Sequence, residues 1–180
     1  MVESLGALLR TTLSKDDRPF TLEKELALVR HYAQIQKIRF DDQLLFSVDA
    51  PPELNDALIP KMTVQPLVEN AIRYAMQEST DPCTVQVLAR HDGDALTIQV
   101  RNTGSRFPVD MSERLAAGTL PHHGFGIGLA NIQQRIQLTF GETYSLQFTN
   151  EAGWATVSLT IPYRPQQEED PNHVENADRR

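Results

Sequence analysis

The stretch from Asn102 to His123 shows neither helical spacing nor strand alternation, and it holds Gly104, Pro108, Gly118 and Pro121. It reads as one long loop. Loops of this length inside a compact domain are usually functional or mobile. It runs straight into Gly124-Phe125-Gly126-Ile127-Gly128-Leu129, after which Leu129, Ile132, Ile136 and Phe140 predict a helix over about Gly128 to Thr139, with Gly141 as its C-cap. Alternating glycines let a backbone approach a ligand closely and leave its N–H groups exposed. A helix N-terminus favours anions. Any fold for this chain must therefore place a long loop beside a glycine-rich helix start. A glycine-rich hinge would look the same, but no strand leads into these glycines, so a Rossmann fingerprint does not apply.

The rest of the chain is periodic. Leu5, Leu8, Leu9 and Leu13 predict a first helix, broken by the run from Ser14 to Pro19. Thr21 is placed to cap a second, whose apolar face (Leu22, Leu26, Val29, Ala33, Gln36, Phe40) runs to about Arg39. A strand follows over Leu44 to Val48, then a third helix over about Lys61 to Met76. Thr84 to Arg90 and Ala95 to Val100 alternate as strands around the hairpin signal Asp92-Gly93. Two more strands are expected at about Tyr144 to Asn150 and Trp154 to Ile161. Strands joined by short turns, with several helices, predict an α+β fold: helices on one face of a mixed, mostly antiparallel sheet.

Composition removes several classes of function. With 24 acidic against 17 basic residues the net charge is −7, which disfavours nucleic-acid binding through phosphate neutralisation. Cys83 is the only cysteine, so no internal disulfide or CxxC metal motif exists. No apolar run approaches a membrane span and no signal peptide opens the chain, so a cytoplasmic location without membrane contact is expected of this fragment.

The third helix carries Gln65-Pro66-Leu67-Val68-Glu69-Asn70-Ala71-Ile72-Arg73-Tyr74. Leu67, Ala71 and Tyr74 can face a core, while Glu69, Asn70 and Arg73 lie on more polar directions. A carboxylate, a carboxamide and a guanidinium near one another could hold a divalent cation and a polyphosphate, and hard oxygen ligands suit Mg2+. An ordinary amphipathic helix would show the same spacing.

In this order, with Val100-Arg101-Asn102-Thr103-Gly104 before the long loop, the motifs resemble the GHKL ATPase superfamily. Glu69-Asn70 resembles its N box, Asn102-Thr103-Gly104 its G1 box and Gly124 to Gly128 its G2 box. The surrounding sequence is similar to one branch, the LytS/YesM-type sensor histidine kinases. Gln65 to Ala71, Tyr32-Ala33-Gln34-Ile35-Gln36-Lys37-Ile38-Arg39-Phe40 and Gly126 to Arg135 carry that likeness, which covers about residues 4 to 163. The resemblance implies a Bergerat-type two-layer sandwich that binds ATP and Mg2+. It makes Asn70 the metal ligand, Glu69 the catalytic residue beside it, and Arg73 and Tyr74 neighbours of the phosphates and site edge. Asn102 would meet adenine, and Gly104, Gly124, Gly126 and Gly128 would shape the pocket and a mobile lid over 105–123. Leu129 would wall the pocket, with Thr156 in the region that often supports adenine.

Three features depart from the pattern, one being that the late Gly-Thr that often supports adenine is degraded to Gly153-Trp154-Ala155-Thr156. The G1 aspartate that accepts from the adenine amino group is Asn102, whose amide oxygen accepts without charge assistance, and the second G1 glycine is Arg106. None of His31, His91, His122, His123 and His173 has the phosphoacceptor motif of the family. The resemblance therefore implies a fragment: residues 1–18 the end of a dimerisation helix and linker, 19–163 the ATP-binding catalytic domain, 164–180 a disordered acidic tail. The phosphoacceptor histidine and a membrane sensor of the parent would precede Met1. The expected partners are ATP, the parent's dimerisation and phosphoacceptor segment and, indirectly, a response regulator. The competing readings are a degenerate signalling module that acts through protein contacts, and a GHKL serine kinase of the anti-sigma type.

Overall fold

The computed structural model describes residues 20–79, 81–120 and 125–166. The expected first helix, the linker to residue 18, His122, His123, Gly124, and His173 in the acidic tail lie outside these residues. The elements run β1 (Phe20–Thr21), α1 (Leu22–Phe40), β2 (Leu44–Asp49), β3 (Leu58–Ile59), α2 (Val64–Glu78), β4 (Cys83–Asp92), β5 (Ala95–Asn102), α3 (Met111–Ala116), α4 (Phe125–Phe140), β6 (Leu146–Glu151) and β7 (Trp154–Pro162).

Five strands form one sheet in the order β2-β4-β5-β7-β6. The β4–β5, β5–β7 and β6–β7 pairs are antiparallel. β2 pairs with β4 in parallel, because α2 carries the chain across between them. Alternation divides the sheet into two faces. Val85, Val87, Ala89, Leu96, Ile98, Val100, Val157, Leu159 and Ile161 are buried, and they join the core of Leu26 and Val29 from α1, Leu67, Val68 and Ile72 from α2, and Leu129, Ile132 and Ile136 from α4. The other face is polar. There Thr97 meets Thr160 at 3.0 Å, Gln99 donates to Ser158 at 3.1 Å, and Arg101 donates to Gln86 while lying 4.4 Å from the Trp154 ring. The architecture is the expected helices-on-one-face sandwich.

Several boundaries differ from the sequence reading for local reasons. Thr21 caps α1, accepting from Lys24 N at 3.4 Å. The third expected helix begins at Val64 and not Lys61, because Met62 adopts φ 62° in a tight turn. The last helix begins at Phe125, so Gly126 and Gly128 sit inside it. The long loop contains α3, whose Met111 and Leu115 are buried four residues apart. Two buried positions are too few to register as a period. β1 and β3 form a small antiparallel pair that the sequence did not suggest. The chain stays attached past Tyr163: Leu58 N donates to Arg164 O at 2.7 Å and Gln166 N to Asp56 O at 2.8 Å.

Candidate functional site

The site is built from the start of α2. Helix N-termini leave N–H groups without intrahelical partners. Thr63, the residue before α2, does not cap them; its hydroxyl donates to Pro60 O at 2.6 Å. The cap comes from α1. Glu25, fully buried, accepts from Met62 N at 2.6 Å on Oε1, and from Val64 N at 2.8 Å and Gln65 N at 3.2 Å on Oε2. Burial pushes its carboxyl pKa up, with the backbone N–H groups opposing that shift. From the other side, Arg135 of α4 donates to Lys61 O and to Met62 O, the latter at 3.0 Å. One turn is thus held by both helices that flank α2.

One helical turn further on, Glu69 Oε1 accepts from Gln65 Nε2 at 2.9 Å. Asn70 Oδ1 accepts from Arg73 at 2.7 Å, and the Arg73 guanidinium lies 4.8 Å from the Tyr74 ring centre. The half-buried Tyr32 of α1 sits within electrostatic reach of Glu69; burial first, and that charge second, raise its phenol pKa, while Arg73 and Arg39 lower it. α4 closes this corner: a Cβ built on Gly128 would lie 3.9 Å from Asn70 Nδ2.

The opposite wall begins where β5 ends. Asn102 is 3% exposed, and its Nδ2 donates to Thr103 O at 2.9 Å and to Ser105 Oγ at 2.7 Å. A carbonyl can only accept, so the amide orientation is fixed and Oδ1 is the atom left to accept from a ligand. Asn150 of β6 then tethers the loop, accepting from Phe107 N and donating to Phe107 O, both at 2.9 Å. Phe107 packs edge-on to Phe148 with ring centres 5.0 Å apart. Between the walls lies a narrow cleft lined by Leu67, Asn70, Ala71, Tyr74, Val100, Asn102, Ser105, Phe107, Leu129, Phe148 and Val157. Its lining is mostly apolar, with the Asn70 and Asn102 side chains as amides among it.

Residues 55–165 match the family of histidine kinase-, DNA gyrase B- and HSP90-like ATPases, and residues 1–44 match a histidine kinase family. The chain belongs to this ATPase family. It is 42% identical over 165 residues to sensor histidine kinase YesM of Bacillus subtilis, covering 91% of this chain and 27% of that protein. The chain thus spans little more than a quarter of that relative's length. Its fold matches the catalytic domain of histidine kinase ThkA with TM-score 0.65 at 14% identity, covering 82% of this chain and 98% of that one. It also matches ThkA in complex with the response regulator protein TrrA, with TM-score 0.60 at 14% identity, over 93% of this chain and 49% of that one.

On this frame, Asn70, Tyr74, Asn102 and Leu129 line the cleft, and Glu69, Arg73 and Gly128 stand beside it. Gly126 is in the first turn of α4. Gly104 is not among the lining residues; it packs against the end of α2, where an added Cβ would meet Cys83 Sγ at 2.5 Å and Ala75 O at 3.2 Å. Thr156 pairs with Arg101 on the polar face of the sheet, and its neighbour Val157 reaches the cleft. Strand alternation places Phe148 and Val157 in the slot once the sheet is known, but nothing in the sequence singles them out. Glu25 does leave a trace: an acid set within the apolar face formed by Leu22, Leu26 and Val29.

Proposed function

We propose that this domain binds Mg-ATP in the cleft and donates the γ-phosphoryl group to a histidine on the dimerisation and phosphoacceptor segment of a longer sensor kinase, from which a response regulator takes it. The observation that carries this reading is an apolar slot lined both by Asn102, whose Oδ1 is left to accept, and by Asn70, which Glu69 and Arg73 adjoin on α2. The first suits an adenine amino group and the second a metal-bound triphosphate. The adenine would sit between Leu129, Val157 and the Phe107–Phe148 pair.

Mg2+ fits the donor set. Among the described residues no group of three His, Cys, Asp or Glu could enclose a cation. A cation here would take Asn70 Oδ1 and draw its other ligands from phosphate and water, as Mg2+ commonly does. Bound there, it supplies charge neutralisation at the phosphates. The protein does the rest by positioning. Arg73 exchanges Asn70 for a phosphate oxygen. Glu69 has one oxygen on Gln65 and the other available to orient or deprotonate the acceptor imidazole. Gly126 and Gly128 let the first turn of α4 approach the phosphates.

The fragment itself is expected to bind ATP without labelling itself, since His31 is an exposed helical residue and His91 packs 4.2 Å from the Tyr163 ring. Among the described residues no helix is long and apolar enough to cross a membrane. Calorimetry with and without Mg2+ tests the binding step. Incubation of a chain extended to its acceptor histidine with γ-labelled ATP tests transfer, and the label should be acid-labile. No Mg-dependent binding would end this reading. Binding without label on the extended chain would favour the degenerate module.

A further inference from the structure

Gln65 is 7% exposed and lies outside the cleft lining, yet both its polar ends are committed to named partners. Its backbone N–H donates to Glu25 Oε2 at 3.2 Å and its side-chain amide donates to Glu69 Oε1 at 2.9 Å. A buried carboxamide is costly unless bonded, and an apolar residue would fill this position without that demand. On an exposed helix, side chains four apart contribute only a few tenths of a kcal/mol, about 0.2–0.5. This pair differs, because Gln65 cannot move with its partner. Its backbone is fixed to a buried carboxylate of another helix, and Arg135 holds the turn just before it.

We propose that Gln65 is a positioning residue for the transfer reaction, anchored by Glu25 and holding Glu69 Oε1 so that Oε2 faces the incoming acceptor imidazole. This rests on the reading of Glu69 as the residue that meets the acceptor. A glutamate side chain left alone samples several rotamers, and each displaced rotamer removes the carboxylate from the approach line of the imidazole. A neutral amide donor fixes one oxygen without adding a charge beside Glu69. Tyr32 of α1 lies within electrostatic reach of the same carboxylate. Gln65 touches neither nucleotide nor acceptor in this arrangement. Its effect is therefore on turnover and not on ATP affinity.

The test uses the parent-length kinase with its acceptor histidine. Gln65→Met keeps the length and removes the donor. The expected result is a fall of about 10- to 100-fold in kcat for phosphohistidine formation, the cost of a misplaced catalytic group. KM and Kd for Mg-ATP should stay within about two-fold, because binding groups common to ground and transition state are untouched. In a Glu69→Gln background the same substitution should cost nothing further. If Glu69→Gln abolishes transfer while Gln65→Met leaves kcat unchanged, the positioning role is overturned and the Glu69 reading stands. If Glu69→Gln itself leaves kcat unchanged, both fall. Parallel losses in KM, kcat and thermal midpoint would show a merely structural Gln65 and overturn the proposal. Should Gln65→Met not fold, Gln65→Leu, which also removes the donor without adding a charge, is judged by the same three readings.

Discussion

The two walls of the cleft are made in different ways. The α2 wall is placed by bonds between residues 37 to 74 apart in sequence, from Glu25 to Met62, Val64 and Gln65 and from Arg135 to Lys61 and Met62. The loop wall rests on shorter-range bonds, from Asn102 to Thr103 and Ser105 and between Thr103 and Thr84, with a longer tether from Asn150 to Phe107. In the proposed reading, the first wall handles phosphate and metal, where small displacements are expensive, and the second handles the base. Preorganisation is concentrated where charge is transferred, while the base side keeps the freedom of a loop that must admit and release a ligand.

The comparison breaks most visibly at Glu25. Glu25→Ala strips three backbone donors of their partner inside the core, and a loss of about 3 kcal/mol is expected in denaturant unfolding. The pH dependence has a definite sign. A folded-state carboxyl pKa raised above the unfolded value of 4.5 gives a contribution that is present below that value and lost as pH rises through the folded pKa. The stability of the native chain relative to Glu25→Gln should therefore grow as pH falls from neutral toward 4.5. A flat difference in thermal midpoint across that range would contradict the burial-dominated environment of Glu25.

Next comes Asn70→Ala, expected to weaken Mg-ATP binding by about 100-fold with the fold intact, as loss of a metal's protein oxygen does. Calorimetry at unchanged circular dichroism reads it, and retained affinity would remove Asn70 from the site. On the other wall Asn102→Leu should cost about ten-fold in ATP affinity, the scale of one neutral hydrogen bond. If it costs more than Asn70→Ala, the division of labour between the walls is wrong. The smallest effect is expected at Asn150→Ala. Amide exchange over residues 103–110 should speed up while ATP affinity changes by less than about three-fold, since only a loop tether is lost. Exchange left unchanged there would mean that the loop is held by contacts other than that tether.

How much of this was legible in the sequence follows from the range of the forces involved. The helices and strands are visible because their burial is periodic, and α1 matches its expected span almost to the residue. The three boxes are visible because their residue types are unusual in combination. What the sequence concealed is what depends on distant partners. The start of α2 was misplaced because only the fold shows that Glu25 and Arg135 converge on residues 61–65. α3 was lost in the loop because Met111 and Leu115 bury too few positions to make a pattern. The resemblance puts Thr156 in a region that often supports adenine, while its face is set by register with Arg101, which no local window contains.

Gly104 shows how narrow the paths of sequence drift through such a site are. Two kinds of obstacle stand there: a left-handed backbone at φ 84°, and crowding of any added Cβ by Cys83 Sγ at 2.5 Å, Ser79 Cβ at 3.1 Å and Ala75 O at 3.2 Å. Shrinking Cys83 to alanine relieves only the closest contact, so no single compensating change makes a side chain at residue 104 neutral. Descendants of this chain are free to exchange Cys83 for another small residue while Gly104 stays, but not the reverse. The order of substitutions along a lineage is thereby given a direction by the geometry of one turn.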